Sequence, residues 1–341
     1  MFSFKNDYSE TAHPSILQKL IDTNMIQTEG YGNDQYTREA IDLIKKKLQD
    51  NNVDIHFISG GTQTNLIAIA AFLRSHEAVI SAKTGHIVDF ETGAIEATGH
   101  KVYTIETKDG KLNRKMIEKV FYKYQSELTP YPKMVYISNP TELGTIYKKE
   151  EIESIYEFCK ENNMYLFIDG ARLGSALESF GNNIKYSDLT SLCDALYIGG
   201  TKNGAMYGEA MVICNDNLKN QFRWHIKQRG AMLSKSKVMA CQFIELFKNN
   251  LYESLANHAN EMSCILREGL IDLGYEMRVD SPSNQTFVIM SKDVLDKIQK
   301  NYSVTPWEEI EDNKWVVRFI TCWATPKEEV IGFIDYLKTI S

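Results

Sequence analysis

Two charged side chains, Asp169 and Lys202, each follow an apolar run and stand beside glycine. The first lies in LFIDGARLGSAL (166–177) and the second in LYIGGTKNGAMYGEAMVIC (196–214). Burial lowers the pKa of a lysine and makes its amine a nucleophile that forms an imine with an aldehyde. A carboxylate beside a pyridine nitrogen keeps that nitrogen protonated, so the ring accepts electrons. The pair therefore indicates either ordinary strand-capping and salt-bridge contacts or a cofactor held between the two residues.

The stretch SGGTQTN (59–65) precedes a predicted helix and contains Gly61 and Thr62. Backbone N–H groups at a helix N-terminus bind phosphate, and glycine allows the phosphate to approach closely. The same residues also form ordinary helix caps. The chain has neither a GxGxxG nor a GxxxxGK[ST] motif in this region, so the sequence does not indicate a dinucleotide or ATP site.

Three further side chains fit a site that binds an amino acid. His86 in KTGHIVDF could stack on a cofactor ring or be a structural histidine. Arg172 lies three residues after Asp169, and Arg318 interrupts the apolar stretch VVRFIT. A guanidinium group matches a carboxylate, although either arginine could instead pair with an acidic residue of the chain. Taken together, these residues are the components of a pyridoxal-phosphate site.

The elements that would position these residues alternate between apolar strands and helices up to about residue 235. This order predicts a mostly parallel sheet covered on both faces, in which ligands lie at the carboxyl ends of the strands. Long helical patterns followed by short strands then predict a small α+β domain. We place a large cofactor-binding domain at 1–240 and a small C-terminal domain at 241–341, with the boundary uncertain by roughly ten residues.

Composition narrows the class of protein. The 341 residues carry a net charge of −7 with mixed signs, which argues against nucleic acid or an anionic membrane as the main partner. The N-terminus has no apolar run followed by a cleavage site, so we expect no signal peptide. The cysteines are scattered without a CxxC pair, so we expect free thiols in the cytoplasm and no metal site; they are Cys159, Cys193, Cys214, Cys241, Cys264 and Cys322.

Almost the whole chain resembles the threonine aldolase / β-eliminating lyase family of fold type I pyridoxal-phosphate enzymes. The segments that carry the resemblance are FKNDYSETAHPSIL, EGYGNDQYTREAIDLI, FISGGTQTNLIAI, GHIVDFETGAIEATG, LFIDGARLGSAL and LYIGGTKNGAMYGEAMV. The family's LHVDGARLFNA motif matches the fifth of these closely. The resemblance implies a mostly parallel seven-stranded sheet, a small α+β domain and a homodimer or homotetramer with active sites at the subunit interface.

The resemblance also implies roles for individual residues. Lys202 would hold pyridoxal 5'-phosphate covalently, Asp169 would pair with its ring nitrogen, and His86 would stack on the ring. Gly61 and Thr62 would contact the phosphate, and Lys227 and Arg229 match a basic segment near it more weakly. Arg172 would contact the cofactor and bind the substrate carboxylate, and Asn6 and Arg318 would also bind the substrate. Tyr31 would contribute to substrate binding in the neighbouring subunit's site.

One segment departs from the family pattern. Many members have ENTHNG, with a histidine near the substrate hydroxyl, where this chain has SNPTELGTIY, and Thr141 or Glu142 occupies that region. The expected reaction is cleavage of the Cα–Cβ bond of L-threonine or L-allo-threonine to glycine and an aldehyde, with His86 or a water near Glu142 as the base. β-Elimination, transamination and a non-catalytic binding protein of the same fold remain open alternatives.

Overall fold

The computed structural model describes residues 1–311 and 313–340. Within these ranges the strands are β1 (Phe2–Ser3), β2 (Asp54–Ile58), β3 (Glu77–Ala82), β4 (Lys101–Ile105), β5 (Tyr131–Ser138), β6 (Tyr165–Asp169), β7 (Ala195–Gly199), β8 (Glu209–Ile213), β9 (Glu276–Met277), β10 (Gln285–Ser291), β11 (Tyr302–Ser303), β12 (Thr305–Glu311) and β13 (Lys314–Ile320).

The helices of the same ranges are α1 (Pro14–Thr23), α2 (Gln35–Leu48), α3 (Gly61–Phe72), α4 (His86–Asp89), α5 (Arg114–Lys123), α6 (Lys149–Glu161), α7 (Leu173–Leu177), α8 (Tyr186–Leu189), α9 (Asp216–Lys219), α10 (Phe222–Gln228), α11 (Lys237–Phe247), α12 (Leu251–Asp272), α13 (Lys292–Ile298) and α14 (Lys327–Ile340). Local chemistry explains the start of α2, where the Asp34 side chain accepts a hydrogen bond from the Thr37 amide.

Seven strands form the large sheet in the order β2-β8-β7-β6-β5-β3-β4. β8 runs antiparallel to both of its neighbours, and the other strands run parallel to one another. The predicted fold class, a mostly parallel seven-stranded sheet, is confirmed. The carboxyl ends of six strands and the first residue of β8 consequently lie along one edge of the sheet.

Side chains of the central strands alternate between two buried clusters, because successive residues of a strand point to opposite faces. Leu196 and Ile198 of β7 face the cluster beneath α2 and α6, whereas Tyr197 faces the cluster beneath α3 and α10. Phe167 of β6 and Tyr136 of β5 face the same side as Tyr197. This alternation places two tyrosines on one face of the sheet near its carboxyl edge.

A smaller antiparallel sheet, in the order β12-β13-β10-β9, packs on α12 and α13, and α14 packs on these two helices. The chain's first strand also joins this part of the molecule, since β1 pairs with β11 and Phe4 lies in the same apolar cluster as Phe319 and Phe333. Position 240 lies within α11, and the domain boundary there stays a prediction. Across the described ranges, every helix is too short or too polar to span a membrane.

Candidate active site

The large sheet delivers several reactive side chains to its carboxyl edge. Asp169 is the last residue of β6, and Lys202 lies three residues after the end of β7. Tight packing explains the glycines beside them: a Cβ on Gly170 would lie 1.9 Å from the carbonyl oxygen of Tyr197. The backbone amide of Gly199 also donates a hydrogen bond of 2.9 Å to the carbonyl of Gly170. Small residues therefore let the ends of β6 and β7 cross closely enough to bring the acid and the amine together.

The side chain of Lys202 is half-buried and lines two adjacent cavities. Burial, and then the nearby charge of Arg172, lower the pKa of Lys202. A lysine in such surroundings has a larger neutral, nucleophilic fraction at neutral pH than an exposed lysine. Lys202 is therefore suited to attack an aldehyde, and its role in holding the cofactor stays a prediction.

Asp169 is held by a set of donors that fixes its position. The hydroxyls of Tyr136 and Tyr197 donate to its two carboxylate oxygens, each at 2.5 Å. The amide of Asn65 donates at 3.2 Å, and the backbone amide of Ala171 at 2.9 Å. Four donors on one buried carboxylate restrict its rotation and fix its orientation.

The start of α3 forms a wall of the same cavity. Gly60 is the residue before the helix and has no side chain to cap it, so the amides of the first turn are not satisfied by a cap. A Cβ on Gly61 would lie 3.1 Å from the hydroxyl of Tyr197, the tyrosine that holds Asp169. The absence of a side chain at Gly61 therefore keeps both the helix terminus and the carboxylate support in place.

His86 follows β3 and begins α4. Its Nδ1 lies 2.9 Å from Oε1 of Glu91, whose side chain is fully buried and also accepts a hydrogen bond from Asn65. Glu91 thereby contacts both the imidazole of His86 and the side-chain amide of Asn65, which in turn donates a hydrogen bond to Asp169. The other edge of the imidazole remains partly exposed, with 37% of the side chain accessible.

The two candidate carboxylate-binding arginines differ in their partners. Arg172 donates from Nε and a terminal nitrogen to the two oxygens of the buried Asp7, at 2.6 and 3.0 Å. Arg318 forms no ion pair with a described residue, its Nε is buried without a hydrogen-bond partner, and its guanidinium lies 4.6 Å above the ring of Trp307. Burial, and then repulsion from Arg172, lower the pKa of Arg318 to about 10. Arg318 is therefore the arginine whose charge is available to an anionic ligand.

Two adjacent cavities contain most of the residues predicted from the sequence. A cavity of about 260 Å³ is lined by Gly61, Thr62, His86, Asp169, Arg172 and Lys202 among others. A cavity of about 240 Å³ is lined by Asn6, Arg318 and Trp307 and shares five residues with the first, namely Tyr8, His86, Glu142, Arg172 and Lys202. The first has the donors for a phosphorylated pyridine, and the second has the free guanidinium for a carboxylate.

Tyr31 lies elsewhere in this chain. It lines a separate cavity of about 290 Å³, and the ammonium of Lys227 lies 4.7 Å from the centre of its ring. Arg229 contacts the region of the helix start through its carbonyl, which accepts a hydrogen bond from Gln63 at 3.3 Å. The predicted reach of Tyr31 into a neighbouring subunit's site stays a prediction.

Sequence reasoning missed several residues of the site. Asp7 was not recognised as the partner of Arg172, and the hydroxyls of Tyr136 and Tyr197 were not assigned to Asp169. A signal existed for the tyrosines, because both interrupt apolar strands that end at this edge and a buried tyrosine hydroxyl usually finds a partner. Glu209 was also missed; it is buried, and it accepts hydrogen bonds from Thr201 Oγ at 2.7 Å and Gly200 N at 2.9 Å.

Comparisons with known proteins agree with this geometry. The β-eliminating lyase family matches residues 8–293. The low specificity L-threonine aldolases of Pseudomonas aeruginosa and of a Pseudomonas species are 29% and 30% identical over 299 residues, which is 87% of this chain and 86% of each relative. The structure of Leishmania major threonine aldolase superposes with a TM-score of 0.98, 46% identity and 99% of both chains covered. The chain therefore belongs to the β-eliminating lyase family and, within it, to the threonine aldolases.

Proposed function

We propose that this protein is a pyridoxal-phosphate-dependent lyase that cleaves the Cα–Cβ bond of L-threonine and L-allo-threonine to give glycine and acetaldehyde. The observation that carries the proposal is that the half-buried Lys202 shares one cavity with a firmly held carboxylate, Asp169, and the adjacent cavity with an unpaired guanidinium, Arg318. The relatives named above are threonine aldolases by name, and they support the choice of substrate.

The residues present fit the cofactor. Lys202 would hold it covalently, Asp169 would face its ring nitrogen, and His86 would lie against the ring. The uncapped first turn of α3, with Gly61 and Thr62, would hold its phosphate. When bound, pyridoxal phosphate supplies an electron sink for the bond broken at Cα.

The chain's own residues supply binding and orientation. Arg318 binds the substrate carboxylate with charge-assisted hydrogen bonds, and the Arg172–Asp7 pair forms a fixed wall beside it. Fixing the carboxylate restricts rotation about the bond between Cα and nitrogen, which decides whether Cα–Cβ or another bond is aligned for cleavage. Lys202, with its lowered pKa, is available to accept or donate a proton near Cα.

A product assay tests the proposal. Purified protein saturated with pyridoxal phosphate is incubated with L-threonine and with L-allo-threonine, and acetaldehyde, glycine and pyruvate are measured in parallel. We expect acetaldehyde and glycine in equal amounts and no activity in Lys202→Ala. Pyruvate without acetaldehyde would replace the aldolase by a β-eliminating lyase, and cofactor binding with no turnover of either substrate would refute the proposed substrates.

The proposal includes the assembly and the location. We infer a homodimer or homotetramer, because the resemblance places Tyr31 at a neighbouring site, and a cytoplasmic enzyme, because all six cysteines are free thiols. Light scattering of the purified protein distinguishes the monomer from the dimer and the tetramer.

A further inference from the structure

Glu142 lies in the loop between β5 and α6 and reaches the shared part of the two cavities. It lines both, together with Lys202 and His86. Thr141, the other residue at this position of the loop, is fully buried, and its hydroxyl lies 2.7 Å from that of Thr145. Of the two residues that the sequence left open here, Glu142 is therefore the one with a group free to meet a ligand.

The structure holds the Glu142 carboxylate in a defined place. Its Oε1 accepts a hydrogen bond from Ser138 Oγ at 2.6 Å and another from the backbone amide of His86 at 2.8 Å. Both donors contact the same oxygen, so the carboxylate is anchored at one side. Through the amide of His86, the position of Glu142 is also tied to the residue proposed to lie against the cofactor ring.

The charge of this carboxylate is not balanced by an ion pair with any of the described residues. Burial raises the pKa of Glu142, and the nearby negative charge of Asp169 raises it further. Lys202 and Arg172 line the same cavities without pairing directly with Glu142, and an enclosed carboxylate that lacks a direct ion pair is a stronger base than an exposed one. Structural acids in a protein interior are usually paired, and an unpaired acid facing a ligand cavity is more typical of a functional group.

We propose that Glu142 is the general base that accepts the proton of the substrate's β-hydroxyl. The inference rests on the proposed function and adds to it the residue that serves the hydroxyl. His86 is less suited to this task, because its Nδ1 is engaged by Glu91 and its ring is assigned to the cofactor face. This role would explain why SNPTELG departs from the family pattern: the carboxylate of Glu142 replaces the imidazole of the family's histidine.

The step balances as follows. Glu142 takes the hydroxyl proton, and the O–H bonding pair becomes the second bond of the aldehyde carbonyl as Cα–Cβ breaks. The pair from the broken bond stays on the Cα side, and Lys202, which takes a proton from solvent, delivers it to Cα and completes glycine. Glu142 is left as a neutral acid and returns its proton to solvent when the aldehyde leaves. No oxidant or reductant is consumed.

The test uses the holoenzyme with Glu142→Gln, which keeps the shape and removes the basic oxygen. Exchange of the α-protons of glycine with deuterated water, followed by NMR, is the internal control, because that reaction needs Lys202 and the carboxylate site but no β-hydroxyl. The absorbance spectrum of the bound cofactor and the Kd for glycine are measured in parallel. Glu106→Gln, at an exposed carboxylate paired with Lys83, controls for the loss of one charge.

We expect Glu142→Gln to lower kcat/KM for L-threonine by about 10²- to 10⁴-fold, the usual contribution of a general base. Glycine exchange, the cofactor spectrum and the Kd for glycine should stay close to those of the wild type. Glu142→His should restore part of the cleavage, with the acid limb of its pH–rate profile near the histidine pKa of roughly 6.5. The other ionisable groups that line the two cavities are Tyr8, His86, Asp169, Arg172, Tyr197, Lys202, Glu209 and Arg318.

Two outcomes would overturn the inference. Cleavage retained in Glu142→Gln would return the role of base to His86. Equal loss of cleavage, glycine exchange and the cofactor spectrum would make Glu142 a structural residue. A wild-type enzyme that releases no acetaldehyde is a different result, since it refutes the proposed function itself.

Discussion

Replacing Asp7 by asparagine would remove one charge from the buried pair that supports the substrate cavity. The carboxylate of Asp7 is almost fully buried and accepts three hydrogen bonds, two from Arg172 and one from Asn284 at 2.9 Å. Although burial opposes it, the charge of Arg172 and then that of Lys202 lower the pKa of Asp7. The carboxylate is therefore ionised at neutral pH, and Arg172 depends on it.

The size of the effect follows from this geometry. Asparagine offers one acceptor oxygen where aspartate offers two, and its amide group would face a guanidinium N–H. Removing one partner of a buried ion pair costs about 3–5 kcal/mol, because the remaining charge stays buried without compensation. At roughly 2 °C per kcal/mol for a chain of this size, we expect the midpoint of thermal unfolding to fall by about 6–10 °C.

The assay is thermal unfolding followed by circular dichroism at fixed protein and cofactor concentrations. Asp22→Asn is the matched control, since Asp22 is exposed and accepts a single hydrogen bond from Gln18; its midpoint should move by less than about 1 °C. A double variant, Asp7→Leu with Arg172→Leu, removes both charges and should be more stable than the sum of the two single effects predicts.

Two results would refute this reasoning. If Asp7→Asn and Asp22→Asn shifted the midpoint equally, the buried pair would contribute nothing to stability. If the double variant showed simple additivity of the single effects, Asp7 and Arg172 would not be coupled. Either result would also remove the argument that Arg318, and not Arg172, carries the charge available to the substrate.

Two further predictions concern charges of the site. Arg318→Leu should raise KM for L-threonine by about 10- to 150-fold, because a charge-assisted hydrogen bond contributes about 1.5–3 kcal/mol, and Arg318→Lys should recover part of the loss; an unchanged KM would contradict the assignment. Burial raises the pKa of Glu209 to about 7. Its ionisation therefore opposes folding by about 4 kcal/mol above that pH and by little below the unfolded pKa of about 4.3. Glu209→Gln should therefore unfold at a higher temperature than the wild type at pH 8 and at a similar temperature at pH 4, measured on cofactor-free protein; a difference independent of pH would contradict this assignment.

Much of the site could be predicted because its residues follow strands. The carboxyl ends of parallel strands share one edge, so Asp169, Lys202, His86 and the glycines before α3 had to converge once the alternation of strands and helices was recognised. The roles of the individual residues were harder to predict from the sequence. Arg172 and Arg318 could not be distinguished from the sequence, because the difference lies in one long-range partner, Asp7, which is 165 residues away from Arg172.

Glu209 could not be predicted as a site residue, because the sequence does not reveal the direction of β8. The segment GEAMVIC is equally apolar whether the strand runs parallel or antiparallel to its neighbours, since β8 is buried on both faces. Because β8 runs antiparallel, its first residue, Glu209, lies at the edge where the other strands end. An antiparallel strand within a parallel sheet thus contributes its first residue to the site. Glu209 could therefore not be found by considering only the residues at the carboxyl ends of the strands.

The position of the N-terminal segment has a consequence for biosynthesis. Phe2 and Ser3 pair with Tyr302 and Ser303, and the carbonyl of Phe4 accepts a hydrogen bond from the amide of Ile320. A chain emerging from the ribosome exposes its first residues long before their partners have been synthesised. The substrate-binding half of the site can therefore form only after synthesis has passed residue 320, and a chain stopped before residue 318 lacks both Arg318 and the Ile320 anchor of the segment that carries Asp7.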